Sequence, residues 1–316
     1  MNFGFFQRAI IQGIPLLFGS SGEILTEKSG HLNLGIPGTM YVGAMGGFMG
    51  AFFYENNASN FVPALAVLVA LLGSILGSLL MGLIYCFLTV TLRANQNVTG
   101  LALTTFGVGF GNFFGGSIRK LSNSEVASVA VSKTSLAFCS RKILSFSILA
   151  YAAVIIALIM AFVLKYTRIG LHLRAVGENP ATADAAGINV NRYKYISTCL
   201  GSVIAGLGGL YYIMDYANGV WSNDGFGDRG WLAIALVIFA IWRPSLSILG
   251  SFLFGGLLIV HNYLGQTLHL TMATQEIFVM TPYVVTVLVL ILISTRRKKE
   301  TQPPAHLGLS YFREER

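Results

Sequence analysis

The sequence predicts an all-α, polytopic membrane protein with about 8–10 transmembrane helices, some of them broken. Three observations predict it. The 316-residue chain is 54% hydrophobic and only 11% charged, whereas a soluble domain carries about a quarter charged residues. Its mean hydropathy is +0.67, and apolar runs near the roughly 20 residues that span a bilayer core recur along it. Glycine is abundant at 36 residues, which suits helices packed closely through small side chains.

The runs fall at 9–25, 34–54, 63–92, 98–118, 144–164, 195–214, 230–242, 245–263 and 277–295. The uncharged 63–92 run is long for one span, so it tilts, extends past the bilayer or bends at Gly73, Gly77 or Gly82. The 230–242 run is short and ends at Trp242-Arg243-Pro244, as a half-span or re-entrant piece would. The start of the chain lacks the pattern of a cleavable signal peptide, so the first run is expected to be retained.

The net charge of +8 reads as topology rather than nucleic-acid binding. Basic residues favour cytoplasmic loops, and this places residues 165–194 and the cluster Arg296-Arg297-Lys298-Lys299 inside. Residues 119–142, with Arg119, Lys120, Lys133, Arg141 and Lys142, then fall outside, against the trend. The expected organisation is a transmembrane domain over 1–295 and a basic cytoplasmic tail over 296–316. The tail is polar, carries Pro303-Pro304 and is expected to be partly disordered.

Several chemistries are excluded. Cys86, Cys139 and Cys199 are too scattered for a disulfide framework or metal site. His31, His172, His261, His269 and His306 lack metal-ligand spacing, and no nucleophile has a base beside it. The Gly225-x-Gly227-x-x-Gly230 pattern follows no strand, so it is not a dinucleotide turn. No phosphate loop is present, so this chain is not expected to bind ATP or to be an enzyme. Glu23, Asp215 and Glu276 lie near span ends, and the absence of carboxylates from span middles argues against a proton-coupled carrier.

Residues 165–194 form a polar island between apolar runs. Asn179 suits a helix N-cap, Pro180 the first helical position, an Ala-rich stretch follows, and Gly187 suits the C-terminal cap. A defined small-residue helix in a cytoplasmic loop points to a docking partner in the cytosol. Between the first two runs, Glu23 to Gly38 introduces polar residues. They either break a helix beside a translocation path faced by Asn33 and Glu23, or make an ordinary turn. Asn95, Gln96 and Asn97 open a later span, and Thr104, Thr105 and Phe106 continue it. Amides and hydroxyls of this kind either bind a polar uncharged solute or bond between helices. Tyr211, Tyr212, Tyr216, Trp221, Phe226 and Trp231 read as an interfacial aromatic belt, with ring stacking on solute as the sharper alternative.

Arg174-Ala-Val-Gly-Glu178-Asn179-Pro180 through Asp184-Ala-Ala-Gly187-Ile-Asn resembles the coupling loop of ABC importer permeases for branched-chain amino acids, ribose-type sugars and nucleosides. Thr26-Glu-Lys-Ser-Gly-His-Leu-Asn-Leu-Gly35 and Arg229-Gly-Trp-Leu-Ala-Ile-Ala-Leu-Val-Ile-Phe239 with Trp242-Arg-Pro244 resemble the family's other signatures. The nearest likeness is to the shorter permease of bacterial nucleoside importers. The resemblance implies that Arg174, Gly177, Glu178, Asn179, Pro180, Ala183, Asp184, Ala186 and Gly187 couple to a cytoplasmic ATPase, which alone holds ATP and magnesium. It also implies a second permease subunit, an extracellular substrate-binding lipoprotein and residence in the bacterial plasma membrane, in contact with lipid. Where the family has Glu, this chain has Pro37. The rival readings are an ion-coupled carrier of a small polar solute and a sugar permease of the same family.

Overall fold

A computed structural model describes residues 3–58, 60, 62–121, 127–128, 146–268, 277–295 and 302–312. Its helices are α1 (Phe3–Glu27), α2 (Ile36–Asn57), α3 (Pro63–Cys86), α4 (Gln96–Leu121), α5 (Ile148–Tyr166), α6 (Arg168–Glu178), α7 (Pro180–Ala185), α8 (Val190–Tyr211), α9 (Arg229–Phe239), α10 (Pro244–Leu268) and α11 (Thr281–Thr295). Each apolar run overlaps one of these helices. Among the described residues, five stretches are long and apolar enough to cross a membrane: Gly4–Glu27, Pro63–Thr91, Gln96–Ile118, Ile148–Tyr166 and Val190–Tyr216. A two-residue strand, Ala127–Ser128, pairs antiparallel with Val220–Trp221. Lys133, Cys139, Arg141, Lys142, His269, Glu276 and the cluster 296–299 lie outside the described residues.

The spans are built inside out. On α3, Leu65, Leu68, Leu72, Leu76, Leu80 and Leu83 are exposed, while Ala66, Ala70, Ser74, Ser78 and Gly82 are buried. On α5, Ile155, Leu158, Ile159 and Phe162 face out while Ala150, Ala153 and Ala157 are buried. Lipid tails solvate large aliphatic side chains as well as a protein core does, so the small residues are the ones that gain by facing neighbours. The long run predicted at 63–92 is α3 continued by a π-helical turn, Phe87–Thr91. At 29 residues it is about 43 Å long, against about 30 Å of hydrocarbon, so it tilts or projects.

Helices α1, α2 and α8 form the centre. Helix α1 packs on α8 and α10, and α2 on α3, α4 and α8. At the α1–α8 crossing Gly22 lies against the Gly201 carbonyl and Gly201 against the Gly22 carbonyl. Either Cβ would collide with backbone there, so the approach requires glycine on both sides.

The aromatics after α8 are not a belt. Tyr211, Tyr212, Trp221 and Phe226 are buried, and only Tyr216 and Trp231 are exposed, at 36% and 38%. The chain after α8 folds back over α2, so Phe226 stacks 4.3 Å from Tyr212 and 4.8 Å from Tyr41, and Trp221 lies 5.9 Å from Phe48. The Arg229 guanidinium caps this cluster 4.9 Å from the Tyr212 ring and donates to the Phe226 carbonyl.

Candidate functional site

The polar island folds into three consecutive capped helices. Thr167 Oγ1 accepts from Gly170 N–H to start α6, Asn179 Oδ1 from Thr182 N–H to start α7, and Asn189 Oδ1 from Arg192 N–H to start α8. Each cap satisfies one of the donors that a helix start leaves open. Pro180 takes the first helical position of α7, where no N–H is needed. Gly187 ends α7 with φ +82. Its N–H reaches Asp184 O and the Ile188 N–H reaches Ala183 O, both at 3.0 Å, which is the full Schellman pairing. Ile188 also packs on the cluster of Val176, Ala183 and Val190.

Pro180 and Ala183 turn inward, whereas Asn179, Thr182, Ala185, Ala186 and Gly187 are exposed. Helix α7 therefore presents a slim small-residue face outward. Arg174 is exposed and donates from Nε to Gly170 O. Gly177 is buried against the Lys28 carbonyl, too close for any Cβ. An open notch of about 510 Å³ flanks α7, lined among others by Arg93, Asp184, Asn189, Asn191 and Tyr311.

Behind α7 lies the break between α1 and α2, residues 28–35. Backbone that leaves a helix inside a bundle needs partners, and here side chains from several helices supply them. Glu23 Oε1 accepts from Asn33 N–H, and Asn33 Oδ1 accepts from Gly35 N–H, both at 2.9 Å. Gln96 Oε1 accepts from Leu32 N–H at 2.8 Å, the Tyr85 hydroxyl donates to Leu32 O, and Thr104 donates to Leu34 O at 2.7 Å. Asn95 caps α4 by accepting from Val98 N–H. Glu23, Asn33 and Gln96 are thus buried around the break, while Asn97 and Phe106 are exposed, Phe106 at 53%. Pro37 stands in the first turn of α2 and packs on Gly230 of α9. Its missing N–H costs nothing there.

Sequence reasoning missed further members of this cluster. Glu27, 3% exposed, accepts a hydrogen bond from the Trp242 indole. Trp242 reaches it because Ile241 and Trp242 adopt φ of 52° and 51°, a rare backbone that folds the α9–α10 corner inward. His31 contacts Thr198 on α8 at 3.1 Å. The signal was present in the i, i+4 spacing of Glu23 and Glu27 and in the Trp242-Arg243-Pro244 corner. Lys28 lies beside this cluster, and burial lowers its pKa, with the Glu178 carboxylate pulling it back up.

The tail reaches the same place. His306 N–H donates to Gly177 O at 3.0 Å, Gly308 N–H to Gly30 O at 3.3 Å and Ala305 N–H to Glu178 Oε2 at 3.3 Å. Gln96 Nε2 donates to Leu309 O, the Tyr311 hydroxyl to Asp184 Oδ2 at 3.0 Å, and Phe312 lies under the Arg93 guanidinium. Residues 302–312 are therefore packed, where their composition predicted partial disorder. Burial, and then Lys194, lower the pKa of His306.

Leucine-faced spans around a polar-sealed helix break, with a slim capped helix beside it, are those of a multi-pass membrane protein. The chain belongs to the branched-chain amino acid transport system / permease component family, whose model matches residues 5–294. It is 32% identical over 294 residues to the nucleoside ABC transporter permease protein NupC of Lactococcus lactis, covering 90% of each chain. It is 29% identical over 294 residues to the guanosine ABC transporter permease protein NupQ of Bacillus subtilis, covering 89% of each. A Haloferax volcanii protein named as a glucose ABC transporter permease is 31% identical over 245 residues, covering 76% of this chain and 71% of its own. No solved structure matches the chain significantly.

Proposed function

We propose that this chain is the membrane-spanning subunit of an ATP-driven importer of nucleosides, and that a separate cytoplasmic ATPase engages it through α7. The observation that carries the reading is the outward face of α7, a six-residue helix capped at both ends with its small side chains exposed. Such a knuckle fits a groove on a partner and transmits push and pull without bending. The family match and the two nucleoside-permease relatives support the transport class and the solute.

The partner set follows from that class. ATP and magnesium belong to the ATPase. A second permease completes the path, in keeping with the chain's likeness to a further Lactococcus lactis nucleoside permease, NupB, at 24% identity over 233 residues. A lipoprotein receptor delivers the solute from outside a bacterial plasma membrane. In this reading residues 1–295 are the transmembrane domain and 296–316 a cytoplasmic tail. Uptake of labelled nucleosides by cells expressing the four components tests the proposal. ATP-dependent uptake that unlabelled nucleosides suppress and glucose does not is the expected result. Suppression by glucose alone selects a sugar importer, the reading favoured by the Haloferax volcanii relative. Uptake that survives ATP depletion and collapses with the ion gradient refutes the class.

A further inference from the structure

The strap formed by residues 302–312 joins two regions that the sequence treats as unrelated. At one end it holds the α6–α7 elbow, through Gly177 O, the Glu178 carboxylate and the Asp184 carboxylate. At the other it holds the α1–α2 break, through Gly30 O and the Gln96 amide, which also carries Leu32 N–H. Gly30 and Gly308 have φ of +80 and +78, so both backbones turn in a way that favours glycine where they meet. Apolar contacts follow the same line. Leu307 packs beside Ile24, Leu173 and Trp242, and Tyr311 beside Val176, Ala183 and Val190.

We propose that this strap is a positioning element for energy coupling, holding α7 in fixed register with the α1–α2 break so that displacement of α7 is delivered to the break. The inference rests on the reading of α7 as the ATPase-docking helix. A brace and a plug make different contacts. A plug would cover the outward face of α7, yet Thr182, Ala185, Ala186 and Gly187 stay exposed and the strap engages the flank at Glu178 and Asp184. The strap also bonds the break at Gly30 and the elbow at Gly177 through backbone alone, and such bonds transmit position independently of side-chain rotamers. Tyr311 acts through Asp184, so its role is to position.

The test uses the complete transporter in liposomes, with uptake and ATP hydrolysis measured together. Tyr311→Phe removes the hydroxyl and keeps the ring. Deletion of 302–316 removes the strap, and Gln302→Ala, at an exposed position, serves as a control. The expected result is ATP hydrolysis close to that of the unmodified transporter, with solute moved per ATP reduced about 5-fold by Tyr311→Phe, as loss of one hydrogen bond of about 1 kcal/mol would give. The deletion should reduce it further. Should the shortened chain not reach the membrane, Tyr311→Phe alone decides. An unchanged ratio in Tyr311→Phe overturns the proposal. So do uptake and hydrolysis that fall together with the amount of assembled transporter, since that marks a fold stabiliser. An unmodified transporter without ATP-dependent uptake overturns the function reading and this inference together.

Discussion

Gly187 offers a test of α7 in which backbone conformation is the sole variable within this chain. It holds φ +82, and an added Cβ would meet nothing within 4 Å. A side chain there costs conformational energy and nothing in packing. The left-handed region costs a residue with a Cβ about 1–2 kcal/mol, more when it is β-branched. Asn visits that region far more readily and is of comparable size. Gly187→Val should therefore shift the ratio of capped to uncapped α7 by about 5- to 30-fold, weakening the bonds from Gly187 N–H and Ile188 N–H that close the helix. The assay is solute-stimulated ATP hydrolysis by the reconstituted transporter at equal protein. Gly187→Val should lose most of the stimulation and Gly187→Asn little. Full stimulation with Val refutes the argument that a closed α7 couples the ATPase. Equal losses with Val and Asn would refute the backbone account and point to bulk at the interface.

Other substitutions read other parts of the structure. Gly22→Ala drives a methyl into the Gly201 carbonyl, and thermal unfolding in detergent should report a loss of about 1–3 kcal/mol; unchanged stability would contradict the close α1–α8 crossing. Gln96→Leu strands Leu32 N–H and removes the donor to Leu309 O, at about 1–3 kcal/mol for the buried donor, so hydrogen exchange at Leu32 should accelerate. The pKa of His306 is lowered from 6.5, so the undocked tail binds a proton more readily than the docked tail below that pH. Docking is then fully present above pH 6.5 and weakens as pH falls towards and through the lowered value. Proteolysis of the tail should quicken as pH falls below about 6.5, and His306→Gln should abolish the pH response; a wild-type rate independent of pH would count against it.

What the sequence made legible was local. Asn179, Pro180 and Gly187 announce α7 because caps depend on residues within one turn. The uncharged run over 63–92 announces a span because its length and apolarity are likewise read from the run itself. The partners of Gln96, Thr104 and Glu23 were not legible, because they are main-chain groups of the α1–α2 break and nothing local records which helix stands beside it. An amide at a span opening reads equally as a solute ligand or as a helix tie, and in the structure Gln96 ties the break to the tail. The aromatics after α8 misled for a related reason, since burial under a folded-back loop and residence at a lipid interface use the same side chains. The tail misled because its composition is polar, while its docking comes from backbone bonds at Gly177 and Gly30 that composition does not encode.

The glycine crossing between α1 and α8 has a wider consequence. Similar crossings join α2 to α8 at Gly43 and Gly206, and α2 to α3 at Gly46 and Gly73. Where main chains touch there are no rotamers to adjust and no layer of side chains to shear, so such seams resist sliding. Helices α1, α2, α3 and α8 are thereby riveted into a chassis. In the importer proposed above, access would then alternate by swings of this whole panel rather than by creases within it.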